Sequence, residues 1–350
     1  MRMQIQSLMA NETKHMTYAD AGVNIDDKSN AISALVSKLN FRRTDGAKSL
    51  DLPGQFAGLI DIGTSLLTLC TDGVGTKLLI AKQMEKWDTI GIDCVAMNTN
   101  DAICVGAEPI AFVDYMAVDV PDAEILSQIA IGLNKGCELS NCDLIGGEVA
   151  VLPELVREID VSGSCLGIVA KDKLIDGSKV AAGDLVIGLP STGLHSNGYT
   201  LARKILEKLE ISLDEKIAGL NDQIGNVLLT PTEVYVRKVL EIVRNYDVHG
   251  MVNITGGGLR NFLRLKKGIS TVITDPLAPN PIFNVLNNLG NVELLEAYQT
   301  FNMGMGFSMI VPADSAAEIV KKCPGSKIVG EIRDGYGVSV PSLDLKYEKY

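Results

Sequence analysis

The residues best suited to chemistry lie in a few glycine-bearing loops. The first is Thr71-Asp72-Gly73-Val74-Gly75-Thr76-Lys77. Glycines let backbone N–H groups approach phosphate oxygens closely. Asp72 adds a hard metal ligand, Thr76 a hydroxyl and Lys77 a point charge. The spacing is neither GxxxxGK[ST] nor GxGxxG, so this is a phosphate–metal loop of another kind. The second segment runs from Asp93 to Asp101. Asn100 follows Asp93 by seven residues and shares its helix face, and Asp101 sits roughly 80° further round. Magnesium takes one or two carboxylates together with phosphate oxygens and waters, and Asp72 with Asp101 could supply them. The apolar neighbours Cys94, Val95, Ala96, Met97, Ala102, Ile103 and Cys104 place the segment's polar residues in a buried helix, where each needs a partner.

Asp143-Leu144-Ile145-Gly146-Gly147-Glu148 delivers two glycines and a carboxylate from an apolar run, and Glu148 is a candidate for orienting substrate or holding metal. In the second half, Ser191 to Gly198 precedes an amphipathic helix, and Thr255-Gly256-Gly257-Gly258 precedes another. A glycine loop feeding a helix start is an anion site, so two of them suggest a second phosphate besides those of a nucleotide. Ser196, Asn197 and Gly198, with Thr255 to Gly258, are the candidate substrate contacts. His195 is one of three histidines and sits in the first of these loops, as a polar contact to substrate. His249 stays open between a structural and a functional role.

These loops need a scaffold. Residues 66–70 read as a buried strand ending in the Thr71-Asp72-Gly73 turn, 89–105 as a helix, 110–118 as a strand, 123–139 as a helix and 164–169 as a strand. Residues 171–184 are polar and turn-rich. Beyond them come a strand at 185–189, a helix at 198–209 and a helix at 231–246. The expected organisation is therefore two α/β or α+β units, 17–172 and 173–345.

Composition bounds the function. The chain has 350 residues, 46% hydrophobic and 21% charged, with net charge 32 − 43 = −11. Such an acidic balance argues against a broad nucleic-acid footprint. It is compatible with nucleotide binding through backbone N–H groups and a metal. The seven cysteines show no CxxC spacing and read mainly as small buried hydrophobes. No signal-type apolar stretch opens the chain and no run of about 18 apolar residues exists, so the expectation is a cytoplasmic protein off the membrane. The sequons at Asn11 and Asn253 are then without meaning.

The ordered segments resemble one family. Residues 17–26 (TYADAGVNID), 71–77 (TDGVGTK), 89–117, 136–148 (GCELSNCDLIGGE), 193–206 (GLHSNGYTLARKIL), 228–242, 248–258 (VHGMVNITGGG) and 298–307 (YQTFNMGMGF) are similar, in that order, to the signatures of the aminoimidazole ribonucleotide synthetases, or phosphoribosylformylglycinamidine cyclo-ligases. The resemblance implies an N-terminal α/β domain whose sheet pairs with that of a second copy into a barrel, and a C-terminal α+β domain. It implies ATP and Mg2+ as cofactors and formylglycinamidine ribonucleotide (FGAM) as substrate, closed to aminoimidazole ribonucleotide (AIR) with release of ADP and phosphate. By resemblance, Asp72 and Asp101 hold magnesium, and Gly73, Val74, Gly75, Thr76, Lys77 and Asn100 belong to the nucleotide site. Glu148, Lys77 and His195 are the catalytic candidates, with Asn197 facing the reacting centre and Gly256 to Gly258 the ribose phosphate. The chain departs from the family at Val149-Ala150-Val151-Leu152-Pro153 and in the sparser glycines of 54–63. A lid is expected at 46–63. Sister enzymes (selenophosphate synthetase, thiamine-phosphate kinase), a carrier-type maturation factor with a C-terminal Cys and a non-catalytic binding dimer are the alternatives. Residues 46–63 carry no Cys and the chain ends Glu348-Lys349-Tyr350, which count against the first and the carrier.

Overall fold

The computed structural model describes residues 15–19, 21–22, 25–50, 52 and 54–349, without the side chains of 25–29. Asp20, Val23 and Asn24 of the opening motif, and the sequon at Asn11, lie outside them.

The first half contains helix α1 (Ile25–Val36), strands β1 (Lys48–Leu50), β2 (Gly58–Asp61) and β3 (Ser65–Gly73), and helices α2 (Leu78–Gln83) and α3 (Ile90–Ile103). Then follow β4 (Glu108–Val118), α4 (Ala123–Ser140), β5 (Asp143–Val151) and β6 (Ile159–Ala170). The six strands form one sheet in the order β1-β2-β3-β6-β4-β5. All neighbours are antiparallel except β4 and β5, whose parallel pairing needs the crossover that α4 supplies. In β3 the inward residues Leu66, Thr68 and Cys70 are buried while Leu69 is exposed, the period-two pattern of a sheet covered on one face. Helices α3 and α4 provide the cover. They approach closely because Gly91, Gly132 and Gly136 sit at the crossing: a Cβ on Gly91 would lie 2.0 Å from the amide nitrogen of Leu133. Asp122 caps α4 by accepting from the N–H groups of Glu124 and Ile125.

The second half contains β7 (Leu185–Pro190), α5 (Tyr199–Lys208), α6 (Ile224–Leu228), α7 (Val236–Asn245), β8 (Gly250–Asn253) and a 3-10 turn at Gly258–Arg264. Further on lie β9 (Ile269–Ile273), α8 (Pro281–Gly290), α9 (Leu294–Thr300), β10 (Met305–Val311), α10 (Ala313–Lys322), β11 (Lys327–Asp334), β12 (Gly337–Val340) and β13 (Leu345–Tyr347). The sheet order is β13-β12-β9-β11-β7-β10-β8, with only β9 and β12 parallel.

Three local expectations change. Residues 231–235 are not helical, and the helix starts at Val236. This segment is pulled straight along α3 by hydrogen bonds described below. The helix after Gly258 is a 3-10 turn of seven residues. The segment 46–63, expected as a lid, contains two short strands: Lys48–Leu50 pairs with β2, and β2 pairs with β3. Between the strands, Arg264 donates to the carbonyls of Gly54 (3.0 Å) and Gln55 (2.9 Å) and stacks 3.8 Å from the Phe56 ring. Among the described residues no helix is long and apolar enough to cross a membrane.

Candidate active site

Strand β3 ends where the first glycine loop begins. Asn98 on α3 donates to the carbonyl of Asp72 at 3.2 Å, and the N–H of Val74 donates to the carbonyl of Val161 at 2.9 Å. The loop is thereby fixed at the rim of the sheet, with Asp72 exposed and Val74 buried. Gly75 has φ 69°, a left-handed conformation that glycine adopts without strain. The chain then turns into α2.

The start of α5 faces this loop from the other half. Together they border a cleft of about 240 Å³ lined by Asp72 to Thr76 on one side and Ser196 to Thr200 on the other, with Tyr18 and Met97 completing it. The Thr76 and Thr200 hydroxyls meet across it at 3.1 Å. Tyr18 is anchored through its N–H to Glu296 at 2.6 Å, and its hydroxyl hydrogen-bonds Thr200. The glycine loop after β8 also reaches this region: a Cβ on Gly256 would lie 2.9 Å from Asn197 Oδ1. Gly258 has φ 51°, and a Cβ there would fall 2.0 Å from the carbonyl oxygen of Tyr298, so both conformation and space call for glycine. Thr255 accepts from the N–H of Gly258 at 2.8 Å, which closes the loop.

Asp101 is held by Asn253, whose amide donates to Oδ1 at 2.8 Å. Burial pushes its carboxyl up to about 7; the Asn253 bond opposes this and the charge of Asp72 adds to it. Two carboxylates that repel each other at a partly enclosed rim suit a divalent cation that neutralises both. Among the described residues no three His, Cys, Asp or Glu side chains converge as a metal cluster. Asp72 and Asp101 therefore fit a magnesium ion that takes its other ligands from phosphate and water. They do not form an all-protein metal cage.

Four expected site residues stand elsewhere. Lys77 is fully buried and does not face the cleft. Its ammonium donates to Asp93 Oδ1 (2.9 Å) and to the carbonyls of His195 (3.1 Å) and Thr230 (2.7 Å), which accounts for its three protons. Asn100 is also buried and serves the contact between halves, donating to the carbonyl of Glu233 (2.8 Å) and accepting from the N–H of Tyr235 (3.0 Å). Asp93 and Asn100 do share a helix face, but that face receives residues 230–235: Asp93 Oδ1 also accepts from the N–H (2.8 Å) and hydroxyl (2.6 Å) of Thr232. The His195 ring is buried, with φ 63° at its backbone. Its Nε2 accepts from the N–H of Thr192 at 3.3 Å, and its ring centre lies 6.2 Å from that of Tyr235. Burial, then the charge of Lys77, pulls the imidazole down to about 3, so it is neutral near pH 7. Glu148 lies exposed on β5, opposite Tyr115 in register, on the outer edge of the first sheet.

Tyr18, Thr200 and Asn253 were missed as site residues. Asn253 carries a signal, since it stands two residues before the Thr255 loop, but its Asn-Ile-Thr context reads equally as a sequon. Thr200 lies just inside a helix start, where a hydroxyl can face an anion. For Tyr18 no local pattern marks the role.

Comparison with known proteins identifies the family. Residues 54–169 match the family described as AIR synthase related protein, N-terminal domain, and residues 181–341 match its C-terminal domain. The chain is 46% identical over 334 residues to a phosphoribosylformylglycinamidine cyclo-ligase of Methanosarcina barkeri, covering 95% of this chain and 99% of that protein. It is 46% identical over 335 residues to the enzyme of the same name from Methanococcoides burtonii, with the same coverage. Among solved structures, thiamine monophosphate kinase of Aquifex aeolicus has the same fold, with TM-score 0.63, 17% identity, and coverage of 92% of this chain and 99% of that one. A related structure described as AaThiL complexed with AMPPCP and TMP gives TM-score 0.65 at 15% identity, over 92% and 97% of the two chains. With both family halves in sequence and near-complete coverage of these relatives, the chain belongs to the AIR synthase related family and, within it, to the phosphoribosylformylglycinamidine cyclo-ligases.

Proposed function

We propose that this chain closes the imidazole ring of AIR from FGAM, converting ATP to ADP and phosphate. The observation that carries the reading is the cleft in which the Asp72–Thr76 loop and the start of α5 face each other; Asp101 does not line it but feels the charge of Asp72. Ring closure requires an amide oxygen to leave. Phosphorylation of that oxygen makes phosphate the leaving group, and an amidine nitrogen then attacks the same carbon. Phosphoryl transfer asks the protein mainly for positioning and charge neutralisation. Backbone N–H groups of Gly75 and Thr76 are suited to the ATP phosphates, and Asp72 and Asp101 to Mg2+; the Gly73 N–H donates to Asp72 Oδ1 at 2.8 Å and orients that carboxylate. When bound, that ion neutralises charge on the phosphate oxygens. Ser196 to Gly198 and the Thr255–Gly258 loop take the phosphorylated substrate, with Asn197 touching both loops. Lys77 and Asn100 act at one remove, by holding the second half against α3. His195, as a neutral imidazole, shapes the 192–198 loop from within.

A second copy is the proposed partner. The first sheet leaves apolar residues open: Leu69 (59% exposed) and Tyr115 (43%) on the face away from α3 and α4, and Ile145 (67%) at the bulge of β5. Contiguous apolar sheet surface of this kind marks an interaction site. A partner's identical sheet would cover it and bring Glu148 to the seam.

The test is incubation of the purified protein with FGAM, ATP and magnesium. AIR and ADP should appear in equal amounts and both should be lost in Asp72→Ala. ADP formation without AIR would overturn the reading.

A further inference from the structure

Helix α4 ends on Asn141 in the left-handed conformation, φ 56°. The N–H of Asn141 donates to the carbonyl of Glu138 (3.3 Å) and that of Cys142 to the carbonyl of Cys137 (3.1 Å). This pair of bonds brings the side chain of the residue after the turn onto the one five positions earlier, a contact that usually joins two apolar groups. Here both are thiols. The turn sets the two thiols side by side, and the residues are 6% and 8% exposed. Neither lines the cleft, and no metal-type cluster includes them among the described residues. The same helix end holds the second half: Arg237 on α7 donates to the carbonyls of Glu138 (2.8 Å) and Leu139 (3.1 Å) and to Asn141 Oδ1 (3.3 Å).

We propose that Cys137 and Cys142 are a modification site, a dithiol that is reversibly oxidised to an intramolecular disulfide by a low-molecular-weight disulfide. The Cys137 thiolate attacks one sulfur of the oxidant, forming a mixed disulfide and releasing one thiolate. Cys142 gives up its proton and displaces the second thiol, closing the Cys137–Cys142 bond. Both protein sulfurs are oxidised, and one oxidant disulfide is reduced to two thiols. The order follows from the pairing: the Cys142 thiol beside it holds the Cys137 thiol below its ordinary value, while Cys137 and burial raise that of Cys142. The other thiols have no such arrangement. Burial pushes Cys165 up to about 12, and Cys94 and Cys104 are at most 1% exposed. The bond staples the end of α4, with its Arg237 contact, to the residue just before β5.

The experiment treats the native full-length chain with oxidised glutathione, quenches with acid, alkylates the denatured protein and maps cysteines by mass spectrometry. The expected result is loss of two hydrogens from the peptide holding Cys137 and Cys142, alkylation of the remaining cysteines, and return of both thiols with dithiothreitol. In Cys142→Ser, Cys137 should instead stop as the glutathione adduct. Full alkylation of both residues in the wild-type protein, or a stable glutathione adduct on wild-type Cys137 without a crosslink, would overturn the proposal. Both readouts come from the wild-type chain, so neither depends on the variant folding.

Discussion

Replacing Lys77 by Met tests what the buried ammonium does. In the native chain it lies 2.9 Å and 2.8 Å from the two oxygens of Asp93 and donates to two carbonyls of the second half. Methionine keeps most of the volume and removes the charge. Asp93 then remains fully buried with only Thr232 as donor among the contacts described. Removing one partner of such a pair costs about 3–5 kcal/mol, because a buried charge is left uncompensated. The two carbonyls, of His195 and Thr230, lose their donor as well, at about 1 kcal/mol each, so the upper part of that range is expected. The assay is urea denaturation followed by far-ultraviolet circular dichroism and by fluorescence of Trp87, the single tryptophan, which is buried. Removing both charges in Lys77→Met with Asp93→Leu should recover about 2 kcal/mol or more relative to Lys77→Met alone. A phosphate-binding lysine predicts the opposite pattern. Loss of ATP affinity with a stability change under about 1 kcal/mol would refute the interdomain role.

Two further outcomes follow from the geometry. The His195 imidazole titrates near 3 when folded, against an ordinary value of 6.5, so below pH 6.5 the unfolded chain binds the extra proton. Stability from this group is full above pH 6.5 and falls as pH drops toward 3, by at most about 1.4 kcal/mol per pH unit. His195→Asn, which tolerates the left-handed backbone, should lose less stability than wild type between pH 6.5 and 4; parallel stability curves would count against a buried neutral ring. Tyr115→Glu places a charge on the open sheet face and should shift sedimentation from dimer to monomer with little change in the fold. An unchanged dimer would mean that this face is not the contact.

The scaffold was largely legible because its signals are local. The apolar run at 66–70 closed by Thr71-Asp72-Gly73 is the core of β3, and the acidic start at Asp122 marks α4. Glycine loops before helices stand out at Gly75 and Gly198 because few other residues reach those conformations. The ordered motifs identified the family, and the relatives share that identity over nearly the whole chain. The segment 231–235 was misread as helix because its apolar periodicity continues that of α7, while its backbone groups are claimed by α3.

Residue type and spacing thus determined which loops could bind phosphate and metal, and which elements carry them. Only the tertiary structure decided which side chains face the cleft. Lys77 stands one residue from Thr76, yet one lines the cleft and the other lies in the core. The choice depends on Asp93, His195 and Thr230, which lie 16, 118 and 153 positions away. A lysine in a glycine loop is suited equally to phosphate and to a buried carboxylate, and a local pattern holds no record of which is nearer. Asn253 finds Asp101 across 152 positions in the same way. A buried polar group goes to whatever partner the packing of two sheets brings within hydrogen-bond distance, because leaving it unpaired costs more than any local preference.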